Sequence, residues 1–289
     1  MSQTVAVLGA TGVYARHLIP KLRAAGHLVR ALVRRPEAAG VARVCGADIR
    51  VTDIFDANSL QSALEGCDVG INLATSLPGP SGRGDFASND RLRREGTPVW
   101  VAAAHAAGLK RIVQQSIAMM NGNAQEWADE DTTFAGASNE LAQQAIEAAL
   151  SMEASVRSGA TDWLVLRGGL FYGPGTGFDD DWFARAKAGT LRAPGDGTDF
   201  VSLVHIADMA TATVAALEHW PSRRTLIVAD DEPVRWSELF EYVAAVANGA
   251  SPSSGGRLGF PSFRVRNTRA RESLRWSPFY RTYREGLIR

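Results

Sequence analysis

The stretch that most constrains this chain is residues 5 to 15, Val-Ala-Val-Leu-Gly-Ala-Thr-Gly-Val-Tyr-Ala. Val5 to Leu8 is a short apolar run, partly β-branched, as a strand buried on both faces requires. Gly9 and Gly12 follow at once, and a helical pattern starts behind them. One glycine lets the chain bend sharply out of the strand. The next lets backbone approach an anion, where the free N–H groups of a helix start can meet it. Ala15 is a third small position, permitting close packing of helix on strand. Glycines so spaced between a strand and a helix predict a pyrophosphate-binding turn.

The rest of the chain repeats the alternation. Residues 28–33, 49–52, 69–74, 111–115, 162–166 and 225–228 read as further strands, making seven with the first. Helical patterns cover 13–25, 58–65, 92–107, 141–156, 179–190 and 236–246, and 203–218 holds a strand end and a helix. Such alternation requires a parallel sheet with helices on both faces. Pro20 predicts a kink in the first helix. Residues 78–88 and 121–136 read as loops, with the acids Asp129 to Asp131 on a solvated face.

Two features bear on the ligand. Arg34-Arg35-Pro36 lies just past the second strand, where an acid would accept hydrogen bonds from both ribose hydroxyls of NAD. A guanidinium there suits a 2′-phosphate instead, so NADP is expected over NAD. Asp53 and Ile54, at the exit of the third strand, are placed to meet the adenine.

Composition excludes several classes. A net charge of zero favours neither nucleic acid nor an anionic membrane. The five histidines show no metal-ligand spacing, so no metal is expected. The two cysteines, Cys45 and Cys67, suit a reduced, cytoplasmic chain. The start runs straight into a strand without room for a signal peptide, no apolar run reaches membrane-spanning length, and no Gly-x-Ser-x-Gly elbow is present.

Further motifs recur in order: Asn72-Leu-Ala74, Gly96-Thr97, Leu109-Lys-Arg-Ile-Val113 with Ser116, Leu166-Arg-Gly-Gly-Leu-Phe-Tyr-Gly-Pro174, Val204-His-Ile-Ala-Asp208, Trp276-Ser-Pro278 and Arg284-Glu-Gly286. Together with the glycine turn and Asp53-Ile54, they give a chain that resembles the extended or atypical branch of the short-chain dehydrogenase/reductase family. That group includes sugar-nucleotide epimerases and dehydratases. The resemblance implies a Rossmann-type, doubly wound α/β fold of about seven parallel strands with a small C-terminal substrate-binding domain. The expected division is residues 1–168 and 198–232 for the NADP-binding domain, and 169–197 and 233–289 for the substrate domain. It implies a nicotinamide cofactor held by Gly9, Thr11, Gly12, Val13, Arg34, Arg35, Asp53, Ile54, Ala74, Gly168, Gly169 and Leu170. The glycines at 168 and 169 suggest backbone close to a ligand. His205 and Asp208 are expected to join the small domain to the sheet, and a homodimer is common for the fold.

The chain departs from the family where the chemistry lies. The family's tyrosine and lysine sit at i, i+4 on one helix face, so that lysine lowers the tyrosine pKa. None of the five tyrosines here has a lysine four residues on, and no lysine lies between Lys110 and Lys187. Aligning Glu153 with the family's acid puts Ala145 and Ala149 in the two places, and the family's Asn before Gly96-Thr97 is Arg93. Ser116 alone survives as a candidate catalytic residue, placed to hydrogen-bond a ketone oxygen.

Two readings stay open. In one, the chain is an NADPH-dependent ketoreductase of secondary metabolism. It would act on a polycyclic aromatic, polyketide-type ketone, with the proton supplied by water or by a phenol of the substrate. It is similar in its missing tyrosine to atypical members that reduce such ketones, angucyclinone ketoreductases among them. Met119, Met120, Trp127, Phe171, Phe178, Trp182 and Phe183 are expected to frame an apolar pocket for it. In the other, the chain is a non-catalytic NADP-binding redox sensor. A sugar-nucleotide epimerase or dehydratase is disfavoured, because that chemistry needs the missing base.

Overall fold

The computed structural model describes residues 2–78, 84–134, 136–137, 139–257 and 259–288. The expected loop at 78–88 therefore falls partly outside the described residues. Seven parallel strands form the central sheet: β1 Thr4–Leu8, β2 Leu28–Val33, β3 Asp48–Val51, β4 Val69–Asn72, β5 Arg111–Ile117, β6 Asp162–Gly168 and β7 Arg224–Val228. Their spatial order is β7-β6-β5-β4-β1-β2-β3. The direction of winding reverses between β1 and β4, and a crevice opens at the carboxyl ends of strands at such a reversal.

The α-helices of eight residues or more are α1 Val13–Ala24, α2 Ala57–Leu64, α3 Thr97–Ala106, α4 Glu140–Ser158, α5 Phe178–Lys187, α6 Ile206–Glu218 and α7 Trp236–Val246. α1 runs unbroken past Pro20. One face of the sheet buries Val5, Val7, Ile71, Val113 and Leu164 against α1 and α6. The other buries Ala6, Leu8, Ile112 and Val165 with Trp100 of α3. This two-sided burial is why the strands read as continuous apolar runs.

Before α3 the chain differs from expectation. A helix begins at Phe86, runs to Arg91, and continues through one π turn, Leu92–Gly96, into α3. Such turns carry an extra residue, which the 3.6 period of the sequence does not reveal. The Asp129 to Asp131 face also differs. Glu130 is buried, accepts the Ile227 N–H at 2.8 Å and pairs with Arg269.

A second core lies beyond the carboxyl end of the sheet. Trp182 and Phe183 of α5 pack there with Trp236 and Phe240 of α7, Tyr172 and Tyr283. Trp182 stands edge-on to Trp236, with ring centroids 6.2 Å apart. His205 and Asp208 tie this core to the sheet. The His205 ring accepts the Ala207 N–H at the start of α6 and lies 3.9 Å from the Tyr280 ring. Asp208 accepts the Tyr280 N–H at 2.9 Å.

Burial pushes the His205 imidazole down to about 4, with His17 and Lys21 adding to the effect. The folded ring therefore stays neutral where the unfolded one, at 6.5, already takes a proton. Protonation favours the unfolded chain, so this contribution is complete above about pH 6.5 and is lost as pH falls towards about 4. Thermal melts should decline across that window. The decline should flatten in His205→Asn, which keeps an acceptor for the helix start.

Candidate active site

Gly9 leaves β1 at φ +80°, and a Cβ there would stand 2.9 Å from Ala74 N and from the Leu73 carbonyl. Only glycine permits this approach of two strand exits. Asn72 shapes the second exit: its Oδ1 accepts the Ala74 N–H at 3.0 Å, while its Nδ2 donates to Gln114 at 3.0 Å. The Gly12 N–H closes the turn onto Gly9 O at 3.0 Å, and α1 starts behind it.

A cleft opens over this turn. Its walls include Gly9, Thr11, Gly12, Arg34, Ile54 and Ala74, all legible in the sequence. They also include Leu32, Val33, Thr52, Leu73, Thr75 and Leu92, which local patterns do not single out. Arg34 and Arg35 are exposed at its edge, and neither side chain has a hydrogen-bond or ion-pair partner among the described residues. A glycine cradle that a Cβ would fill and two uncommitted guanidinium groups fit a phosphorylated dinucleotide.

Five expected contacts lie apart from those walls. Asp53 turns its Oδ1 to the Phe55 N–H at 3.0 Å, beside Thr52 and Ile54. Val13 packs against the sheet core. Gly168 is small for an internal reason, since a Cβ would meet the Phe171 ring at 2.5 Å. At Gly169 it would meet Ser202 O at 2.7 Å, while the Leu170 N–H donates to that same oxygen. These glycines make room for neighbouring chain, which corrects their reading as a ligand-facing pair.

Ser116 needs a larger correction. Its hydroxyl is buried and donates to Glu153 Oε1 at 2.6 Å. Glu153 is fully buried on α4 and also accepts from Arg167 Nε at 2.9 Å, Arg167 Nη2 at 2.7 Å and Arg157. Arg167 Nη1 reaches on to Asn121 Oδ1 at 2.9 Å. Ser116 is thus committed to a network joining β5, α4 and β6, and its oxygen is not offered to a substrate. An arginine inside the apolar run of β6 was the sequence signal for a buried partner, because a lone buried charge is too costly to keep.

Side chains alternate along a strand, so Ile117 points away from Ser116. It packs with Met119, Met120, Phe134, Ile146 and Ala149. Ala145 and Ala149 are both buried on α4. The main-chain oxygen of Ala145 accepts from Arg93 Nη1 at 2.8 Å. No tyrosine substitutes for the missing one. Tyr14 is buried and bonded to Met209 O and Thr213, and Tyr172 is buried near Asp230 and Asp208; burial raises both phenols well above the ordinary value.

The expected aromatic frame divides. Trp182 and Phe183 belong to the second core and face no open pocket, because packing against α7 consumes their surface. Phe171 stands edge-on to Tyr14 at 5.6 Å. Phe178 and Trp127 are both exposed, and the Arg264 and Arg266 guanidinium groups lie over the Trp127 ring at 4.2 and 4.6 Å. Met119 and Met120 do lie at the end of β5. Among the described residues no cluster of histidine, cysteine or carboxylates could hold a metal, and no helix is long and apolar enough to cross a membrane.

The family model for NAD(P)H-binding proteins matches residues 9–219. The 3-diazoavenalumate denitrifying reductase of a Streptomyces species is 34% identical over 310 aligned positions, covering 99% of each chain. A 4-hydroxy-2-methyl-3-oxo-4-farnesyl-3,4-dihydroquinoline-1-oxide ketoreductase from Stigmatella aurantiaca is 27% identical, covering 79% of this chain and 68% of its own. The solved UDP-glucose 4-epimerase of Thermotoga maritima superposes with a TM-score of 0.80 at 19% identity, covering 98% of this chain and 96% of its own. That last likeness is one of fold.

The two serine-network partners should separate cleanly. Ser116→Ala loses one hydrogen bond, about 1 kcal/mol. Glu153→Leu leaves Arg167 buried without its partner and should cost about 3–5 kcal/mol. Urea midpoints measure both.

Proposed function

This chain belongs to the NAD(P)H-binding family and is an oxidoreductase; from that premise we propose that it reduces a small aromatic substrate with NADPH, without a proton donor of its own. The observation that carries the reading is a contrast between two neighbouring places. A glycine-floored cleft carries Arg34 and Arg35 at its edge, yet the end of β5 presents Ile117, Met119, Met120, Ile146 and Ala149. The Ser116 hydroxyl on the same strand is donated to Glu153.

When bound, the dinucleotide supplies hydride. Gly9 and Gly12 would hold its phosphates at the start of α1, and Arg34 and Arg35 would hold the 2′-phosphate that distinguishes NADP. The apolar wall excludes water and orients a flat ring. A missing general acid costs typically ~10²–10⁴-fold, and orientation can offset much of it.

An acceptor for such a site must not need a proton from the protein. A polyketide-type aromatic ketone with an adjacent phenol qualifies, because the phenol can protonate the developing alkoxide. An aromatic diazonium also qualifies. Hydride addition to its terminal nitrogen gives Ar–N=N–H, which loses N₂ and leaves the hydrogen on the ring. The second class enters because the relative aligned over the whole chain is named as a denitrifying reductase of a diazo compound.

The test is titration with NADPH and NADH, followed by NADPH consumption with aryl diazonium salts and with tetralones bearing or lacking a peri hydroxyl. NADPH should bind more tightly than NADH. Arg34→Ala should weaken NADPH about tenfold or more, as loss of a charge-assisted bond predicts, and leave NADH unchanged. Consumption is expected with the phenol-adjacent ketones or the diazonium and not with the plain ketones. Tight NADPH binding with no turnover on any acceptor would sink the reductase reading in favour of the sensor.

A further inference from the structure

The π turn puts two adjacent residues into different surroundings. Leu92 lines the dinucleotide cleft, while Arg93 is buried at 6% exposure against α4. Its Nη1 donates to Ala145 O, and among the described residues its guanidinium makes no other hydrogen bond and no ion pair. Neither Nε nor Nη2 is a fully buried atom left without a partner, so each keeps some exposed surface.

The fold does not account for this charge. In an α-helix the Ala145 carbonyl already has the N–H four residues on. The charges that face Arg93 are Asp90 and Glu153. Glu153 is committed to Ser116, Arg167 and Arg157, and among the described residues Asp90 makes no hydrogen bond or ion pair with Arg93. Burial pulls the Arg93 guanidinium below its ordinary value, which an anion alongside would reverse. A buried guanidinium is costly to keep without a partner.

Resting on the reductase reading of this site, we propose that Arg93 is the substrate's anchor: Nε and Nη2 take a carboxylate or phenolate of the aromatic substrate in a two-point hydrogen bond. These two atoms form one edge of the planar fork, which matches a carboxylate bidentately. The same residue carries the neighbouring Leu92 into the cofactor cleft, so the anchor sits beside the dinucleotide. Substrate selection is then by an anionic group on an aromatic ring, held against Ile117, Ile146 and Ala149.

The test uses 4-hydroxybenzoate and its methyl ester as probes, titrated calorimetrically into the full chain with and without NADP⁺. The acid is expected to bind about tenfold or more tightly than the ester, as a charge-assisted pair predicts. Arg93→Gln should abolish the preference, and Arg93→Lys should keep part of it. NADP⁺ affinity should stay within about twofold in both variants, which also reports that they fold, since Leu92 and not the Arg93 fork lines the dinucleotide cleft. Equal binding of acid and ester by the unmodified chain overturns the proposal, as does a folded Arg93→Gln that keeps the preference. If Arg93→Gln fails to fold, the unmodified chain and Arg93→Lys decide. Failure to bind NADP⁺ would bring down the reductase reading instead, and the titration without dinucleotide would still judge Arg93.

Discussion

The buried carboxylate of Glu153 holds the functional end of this molecule together. It accepts from Ser116 on β5 and from both Nε and Nη2 of Arg167 on β6, and Arg167 passes the chain on to Asn121. Asn121 in turn donates to the Asp129 and Thr132 carbonyls, fixing the loop that follows β5. The two charges taken out of water, Glu153 and Arg167, are tolerable only because hydrogen bonds partner them. The result positions α4 on the sheet, and with it Ala145, Ala149 and the backbone oxygen that receives Arg93.

The cofactor cleft depends on a different constraint, the close approach of the β1 and β4 exits. Gly9 makes it sterically possible, and the Asn72 side chain fixes the second exit by holding the Ala74 N–H. Because the sheet reverses direction at that point, no crossover helix covers the gap between these strands. The two candidate places are thus built differently: the cleft from backbone with Arg34 and Arg35 exposed at its edge, the end of β5 from an apolar wall, with the buried Arg93 donating to Ala145 O.

Much of the fold was legible because burial on both sheet faces forces unmistakable apolar runs. All seven strands, the helix after the glycine turn and the alanine-rich α4 were readable within a residue or two. That the glycine turn and the Arg34-Arg35 pair line one cleft was readable because their placement depends on local sequence spacing. Ser116 was misread because a strand-end serine looks the same whether it faces the cleft or the sheet's interior. Gly168 and Gly169 were misread because a glycine needed for Phe171 resembles one needed for a ligand. Trp182 and Phe183 were misread because an amphipathic helix does not announce what covers it.

By itself, then, the sequence determined the doubly wound architecture, the dinucleotide turn, the arginines at its edge and the loss of the tyrosine–lysine pair. Each is a statement about residue identity at short range. Only the tertiary structure decided that Ser116 is spent on Glu153, that an apolar wall closes the end of β5, and that Arg93 comes from another helix to lie beside Ala145. Those outcomes turn on which way a side chain points and on partners 37 and 52 residues away in the chain. Neither periodicity nor spacing carries that information, because hydrogen bonds at such separations are selected by packing.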